Sequence, residues 1–232
     1  MDSFVALGFP CVKMKVGKRF GCVFDEDVER VRAVRGHVGP KIRLAVDANQ
    51  IHAVPEAIAF ARAIADQDIA WFEEPVHSAD YLGLKAFCEE SPIVAGVGES
   101  ERTALGFDSI AAAGCRHLQP QTSLPGVQEI LSVCRYADAH KLDLSAGGLS
   151  YFTSQIMAVN SESVLTEILL PVVGPLRPYL KTAPDLKDGR FILDSERAVS
   201  TSIDWELLAE KNGIASDEVF TPDDFRNTGI PV

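Results

Sequence analysis

No apolar run approaches the 18 or so residues that a membrane-spanning helix needs, so a membrane partner is not expected. Basic residues are scarce: 22 Lys and Arg stand against 33 Asp and Glu, a formal charge of −11 with a pI near 4.9. Nucleic-acid binders carry basic patches, which removes that class of partner as well. No C-x-x-C pair occurs among the five cysteines, Cys11, Cys22, Cys88, Cys115 and Cys134, which are odd in number and widely spread. They read as reduced thiols of a cytosolic protein, mostly buried filler. The opening MDSFVALGFP lacks a basic segment and a cleavage site, so no secretory leader is expected and the location reads as cytoplasmic. Low-complexity stretches and strict repeats are absent. What remains is an ordinary globular composition, 47% hydrophobic over 232 residues, enough for one large domain with a full core.

Three carboxylates organise the chain: Asp47 in VDAN, Glu73 in FEEP and Glu99 in GVGES, each 26 residues after the one before. Each closes a short apolar run (IRLAVD, IAWFE, IVAGVGE) that gives way to helical patterning. Strands recurring every 25–30 residues or so, with a helix between, are the rhythm of a parallel β/α sheet or barrel. In a barrel the strand ends converge on one rim. Three acids brought together there repel one another unless a cation is shared. Hard oxygen ligands with room for water or substrate suit Mg²⁺. The bland alternative is a generic barrel whose acids are satisfied by Lys and Arg pairs.

In order, the patterning predicts strands at 11–16, 41–47, 69–74, 92–99, 115–121, 142–147 and 163–169, one short of a closed eight-stranded barrel. Residues 1–9 read as part of a helix with a turn at Gly8. Further helices are expected at 25–38 with Asp25 as N-cap, from Pro55, and at 79–90, 103–113, 126–140 and 150–160. In CVKMKVG, alternation sets Cys11, Lys13 and Lys15 on one face and Val12, Met14 and Val16 on the other. Two lysines on one face suit an exposed edge strand or, with the carboxylates that follow, the interior of a barrel mouth. From Pro184 the character changes. Two extended pieces flank an Asp188-Gly189 turn, a helix covers 204–211, and the last twenty residues read as a loose terminus. The domain reading is a barrel at 1–183 and a C-terminal extension packing on it at 184–232.

K-x-K at 13–15, D-x-N at 47–49, E-E-P at 73–75 and G-E-S at 98–100, in this order, resemble the enolase superfamily. The nearest branch is that of mandelate racemase and muconate-lactonizing enzyme, with its acid-sugar dehydratases. The resemblance covers roughly 5–183. It implies a TIM-like (β/α)₇β barrel following a capping domain, with Asp47, Glu73 and Glu99 on Mg²⁺ and Asn49 and Glu74 beside them or facing substrate. Lys15 would be the base that removes the α-proton of a carboxylate. Lys13 beside it would favour the neutral amine by like-charge repulsion and contact the substrate carboxylate. Glu167 matches a position that bonds the developing enolate. The branch carries an Asp on the sixth barrel strand and a His on the seventh; here Gln121 and Gly147 stand there. A sixth-strand lysine is missing too, from Gln119, Gln121 and Ser123. Of the histidines, His37, His117 and His140 are expected at the surface, with His52 and His77 able to reach the mouth. Gly147-Gly148 reads as a strand-to-helix turn needing small residues. Arg177 and Lys181 read as surface, and Trp71 as core. The capping domain and first barrel strand have no counterpart in the sequence, which exposes two strand edges and favours a homo-oligomer.

These residues predict Mg²⁺-dependent abstraction of an α-proton from a small carboxylate. With one base on one side, dehydration of a hydroxy acid or acid sugar is favoured over racemisation, which needs two. The alternatives are a metal-binding barrel with lost catalysis and a racemase or cycloisomerase of the same superfamily.

Overall fold

A computed structural model of the chain describes residues 2–17, 23–159, 164–194 and 201–212. A short helix α1 (Asp2–Ala6) turns at Gly8 into β1 (Cys11–Lys15). Helix and strand then alternate: α2 (Phe24–Val38), β2 (Arg43–Asp47), α3 (Val54–Ala63), β3 (Ile69–Glu73), α4 (Tyr81–Glu90), β4 (Ala95–Val97) and α5 (Ala104–Ala112). The rhythm continues through β5 (His117–Leu118), α6 (Val127–His140), β6 (Asp143–Ala146), α7 (Ser150–Met157) and β7 (Leu165–Thr166). The tail adds α8 (Leu170–Leu176), β8 (Leu180–Thr182), β9 (Asp185–Lys187), β10 (Arg190–Ile192), β11 (Ser202–Ile203) and α9 (Trp205–Asn212).

Strands β1 to β7 form one sheet in sequence order, each pair parallel. It curls as an incomplete barrel: among the described residues β1 pairs only with β2 and β7 only with β6, which leaves a gap between them. All seven expected strands are present but shorter at their ends, and β5 and β7 hold only two residues each. Residue 163 and Cys22 lie outside the described residues. Helix α2 begins one residue before the expected N-cap: Val23 occupies that position and Asp25 sits in the first turn, where a negative charge favours the exposed N–H groups. Pro171 opens α8, a helix the sequence pattern did not mark. Real N-caps are Asp80, which accepts from Gly83 N (2.8 Å), and Thr103, which accepts from Gly106 N (3.1 Å).

The core falls into two clusters. The larger lies between β1–β5 and α2–α5 and is built on Phe60, Phe72, Phe87 and Phe107, all but fully buried. Phe72 meets Phe60 and Phe87 edge-on at 5.8 and 5.6 Å. The smaller, Ile130, Cys134, Ala146, Ile156 and Met157, holds α6 and α7 against β6. Cys11, Cys88 and Cys115 are free thiols. Burial pushes Cys11 and Cys88 up to about 11 and Cys115 up to about 12, which keeps them protonated and unreactive.

β9 and β10 form an antiparallel hairpin through Asp188 (φ 50°) and Gly189 (φ 69°), as the turn signal predicted. A Cβ on Gly189 would stand 2.2 Å from the Gly8 carbonyl oxygen, so the turn closes on the approach to β1 only because this residue has none. At its other end Phe191 packs on Tyr151 of α7 at 5.7 Å. The hairpin therefore spans from the β1 side of the gap to the β7 side. No described helix is long and apolar enough to cross a membrane.

Candidate active site

Register places the charged groups. Lys15 lies opposite Asp47, and Asp47 opposite Glu73, in one row across β1, β2 and β3. On β4 that row continues at Gly96, while Glu99 sits in the turn beyond Val97 and reaches back. Equal spacing in sequence is thus not equal register, and the expected strand end at residue 99 is corrected to a turn. Gly96 has its own reason: a Cβ there would lie 2.3 Å from Gln119 Oε1 and 2.6 Å from the Trp71 ring. β4 leaves its inner side bare so that these two can reach Glu73.

One carboxylate oxygen from each of Asp47, Glu73 and Glu99 lies within 4.8 Å of the others. Two ligands on opposite sides of Mg²⁺ at about 2.1 Å each are about 4.2 Å apart. The donor set thus suits a small hard cation in number and type, and its spread, within 4.8 Å, exceeds that distance by no more than about 0.6 Å. Asp47 and Glu73 are buried, and Glu99 is half-buried. Lys13 Nζ bonds Glu73 Oε1 and stands 3.2 Å from Asp47 Oδ2 and 2.9 Å from Glu167 Oε1. Lys15 Nζ, more than half exposed on the rim, bonds Asp47 Oδ2 and Asn49 Oδ1, both at 2.5 Å.

The electrostatics follow from burial and these partners. Burial opposes the charge on Lys13, but Glu73, Glu167 and Asp47 outweigh it and hold the ammonium above its ordinary value. Burial pushes the Glu73 carboxyl up to about 7 against the pull of Lys13. Burial also opposes charge on Asp47, yet Lys13 and Lys15 hold its carboxyl below the usual range. Glu74 is raised by burial and by Glu99.

The outer oxygen of Glu73 is fixed from behind. Gln119 Nε2 donates to Oε2 at 2.6 Å and Trp71 Nε1 at 3.3 Å. Trp71 thus lines the sheet interior, with its ring 4.5 Å from His117 and Arg43 5.5 Å above it. His117 Nε2 meets Ser145 Oγ at 2.8 Å, and Gln119 reaches the same hydroxyl at 3.3 Å. Gln50 ties the three ligand loops together. Its amide donates to Glu74 Oε1 and Ser100 Oγ (2.9 Å each), and its Oε1 accepts from Ser78 N at 3.0 Å. Asn49, Gln50 and Glu74 all adopt positive φ there, a conformation that is worth its strain only when neighbours hold it.

Lys13, Asp47, Glu73, Glu99 and Glu167 come together as expected by sequence, with Lys15 and Asn49 at their rim. Glu167 follows β7 and bonds Ala146 O through its backbone N–H (2.8 Å). A cavity of about 940 Å³ runs from Lys13, Glu73, Glu99, Gln121, Gly147 and Glu167 down to an apolar end at Phe4, Met157, Leu186 and Phe191. Lys15, Asp47, Asn49 and Glu74 do not line it; Lys15 and Asn49 stand at its rim. Gln121 does, with a buried Oε1 that finds no partner among the described residues. Gly148 has φ 104° and no room for a Cβ, so the small-residue turn stands. His37, His77 and His140 are exposed. His117 is corrected from surface to interior because it alternates inward with Gln119 and Gln121 on the β5 segment. His52 does not reach the mouth: its ring is buried against Phe60 and Phe72. Arg177 and Lys181 are exposed. The residues that sequence reasoning passed over are Gln119, Gln50 and Trp71. The alternation through HLQPQ carried the signal for the first of them.

The sequence matches the family described as "Enolase C-terminal domain-like" over residues 1–207. The chain belongs to this family. Within it, the enolase-superfamily chain is 36% identical over 159 residues to the 3,6-anhydro-alpha-L-galactonate cycloisomerase of Streptomyces coelicolor, covering 68% of this chain and 43% of the relative. It is 32% identical to the arabinonate dehydratase of Saccharolobus solfataricus, covering 86% and 54%. It superposes on the crystal structure of a racemase from Streptomyces coelicolor A3(2) with bound magnesium at a TM-score of 0.81 and 30% identity, covering 90% of this chain and 57% of that one. The enolase-superfamily resemblance, its mandelate racemase and muconate-lactonizing branch, and the incomplete barrel are borne out. The chain spans about half the length of the curated relatives it matches.

Proposed function

We propose that this chain carries the proton-abstracting half of a Mg²⁺-dependent enzyme that dehydrates a hydroxy acid or acid sugar. The observation that supports it is the convergence of Asp47, Glu73 and Glu99 within 4.8 Å beside two lysines on one strand. Asp47, Glu73 and Glu99 would hold the ion, which when bound would stabilise the negative charge that develops on the substrate carboxylate. Lys15, released from Asp47 and having given one proton to solvent, takes the α-proton onto the Nζ lone pair as the C–H pair becomes the C=C of an enolate. The same ammonium returns that proton to the β-hydroxyl, which leaves as water as the β C–O bond breaks. The enol that remains becomes the 2-keto acid. Lys13 and Glu167 face the substrate from β1 and from the residue after β7.

The one proton-transferring group, Lys15, lies on one face, since Gln121 and Gly147 offer neither acid nor base opposite it. That favours syn elimination over racemisation. The same observation favours a second reading, a barrel that holds the ion without turning substrate over. A panel of aldonic and aldaric acids, incubated with the protein and Mg²⁺ and assayed for 2-keto acids by mass spectrometry, separates the two. Turnover that falls at least about a thousandfold in Lys15→Ala is expected. Full turnover by Lys15→Ala would end the proposal, and tight Mg²⁺ binding with no product from any acid would leave the second reading.

A further inference from the structure

Every oxygen of Asp47 and Glu73 already accepts a hydrogen bond, and the donors fall into two kinds. Asp47 Oδ1 takes the backbone N–H of Asn49 at 2.9 Å, and Glu73 Oε2 takes Gln119 and Trp71. These donors are fixed by strand and loop backbone or by burial: Gln119 is only 8% exposed and Trp71 4%. The two inner oxygens, Asp47 Oδ2 and Glu73 Oε1, face each other across Lys13, whose ammonium touches both. That is the place from which a divalent ion would draw its ligands, on the reading of the site given above. A doubly charged ion and an ammonium cannot share two oxygens at that range in a buried setting. The outer donors have nowhere to go. Lys13 is the tip of a flexible four-carbon stem, and its third partner, Glu167 at 2.9 Å, stands on the far side of the gap, beyond β7.

We propose that Lys13 is the internal counter-cation of the carboxylate cluster, occupying the position a divalent ion takes, and that ion binding drives its ammonium off Asp47 and Glu73 towards Glu167 and the cavity. Lys13 then serves the cluster twice. Without the ion it keeps Asp47 and Glu73 from repelling each other, and through Glu167 it joins β1 to the end of β7 across the gap. With the ion it is set free beside the cavity as a cation for an anionic ligand. Lys15 also sits on Asp47 Oδ2, at 2.5 Å, but it touches Asp47 alone of the three ligands and, more than half exposed, can swing out to solvent, so only Lys13 bridges the two inner oxygens.

The readout is ion binding, independent of turnover. Calorimetric titration of Mg²⁺ into the protein without substrate is expected to show Lys13→Gln binding the ion at least tenfold more tightly than the natural protein. Its ion-free form is expected to melt several degrees lower, a gap that Mg²⁺ closes. A lysine that merely supports the site would weaken binding when removed. Equal or weaker Mg²⁺ affinity in folded Lys13→Gln therefore overturns the proposal. If that variant does not fold without the ion, the natural protein decides. The NMR signal of the Lys13 side chain, assigned by its loss in Lys13→Arg, is expected to shift as Mg²⁺ saturates, and a signal that stays put overturns the idea. Failure of the natural protein to bind Mg²⁺ at millimolar concentration would instead sink the metal reading itself, and this inference with it.

Discussion

Strands β1 to β4 and the turns after them contribute two lysines and three carboxylates to the mouth of the sheet; β5 to β7 contribute two glutamines, a glycine and one glutamate. Packing divides the same way. The first three strands are five residues long and sit on the larger core with its four buried phenylalanines, while β5 and β7 are two residues long and the smaller core serves β6. Buried charge needs fixed partners, and fixed partners need a stiff sheet behind them. The charged side of the mouth lies over the well-packed half. The side with fewer charges lies over the half with the shorter strands and the smaller core. One face of a bound substrate would meet two lysines and three carboxylates, the other amides, open space and the single carboxylate of Glu167.

The most drastic way to break this asymmetry is to rebuild the second side. Gly147→His combined with Gln121→Asp places an imidazole and a carboxylate opposite Lys15. A Cβ on Gly147 would meet only Glu167 Oε2 at 2.9 Å and Gln121 Oε1 at 3.2 Å, both ends of flexible chains, so the change is tolerable. A positioned acid–base group contributes about 10²–10⁴-fold. With a substrate the natural protein accepts, deuterium from solvent is expected at the α-carbon with inverted configuration, at a rate raised by that order. Retention alone would show that the second face does not reach the substrate.

Packing offers the next test, like for like. Ile110 is 1% exposed in the larger core and Ile156 is 7% exposed in the smaller one. Large-to-small changes of this kind cost about 2–5 kcal/mol, more where the surroundings cannot collapse into the space. Urea unfolding is expected to put Ile110→Ala near the top of that range and Ile156→Ala near the bottom. Reversed costs would show that the smaller core is the stiffer one.

A third comparison sets two glutamines on one strand segment against each other. Gln119 donates to Glu73, whereas Gln121 turns its amide oxygen to the Gly147–Gly148 turn; among the described residues the Oε1 of neither has a partner, so the bond to Glu73 is the difference. Removing a partner that orients a metal ligand costs about 10–100-fold in affinity. Gln119→Leu is therefore expected to weaken Mg²⁺ binding by that factor, measured calorimetrically, and Gln121→Leu to leave it unchanged. Equal losses would mean that both amides act on the metal centre.

How far could these differences be read from the chain alone? The period-26 acids and the alternation of CVKMK placed Asp47, Glu73, Lys13 and Lys15, because a charge that interrupts an apolar run at a strand end is costly to bury unless a partner meets it there. Helix boundaries came within a residue or two wherever Pro55 or Gly39 marked them. Glu99 lies beside the other two acids as expected but in a turn, not at a strand end: sequence spacing does not encode the stagger between strands. The partners behind the site were missed because a glutamine in a strand looks neutral until its neighbour across the sheet is known. Gln119 matters only because Gly96 leaves it space. His117 misled through composition, since an isolated histidine gives no sign of which face it takes unless its flanking residues are read as alternating.

His117 also supplies the smallest effect, and the one with the clearest sign. Its ring lies 2% exposed beneath the charged side, against Trp71 and bonded to Ser145. Burial, together with the nearby charges of Arg43 and Lys13, pushes its value down from 6.5 to about 3. Between those limits the unfolded chain takes up a proton that the folded one refuses. Stability from this group is complete above pH 6.5 and is lost as pH falls from there towards 3, at no more than about 1.4 kcal/mol per pH unit. Glu73, raised by burial from 4.5 to about 7, titrates across the same range, so the informative quantity is a difference. His117→Gln keeps a donor and acceptor for Ser145 and has no proton to gain. Unfolding free energies of the two proteins at pH 7, 6 and 5 are expected to converge as pH falls, with the natural protein losing more at each step. Parallel curves would mean that His117 is charged, or reached by water, in the folded state, and that the floor of the site is wetter than its packing indicates.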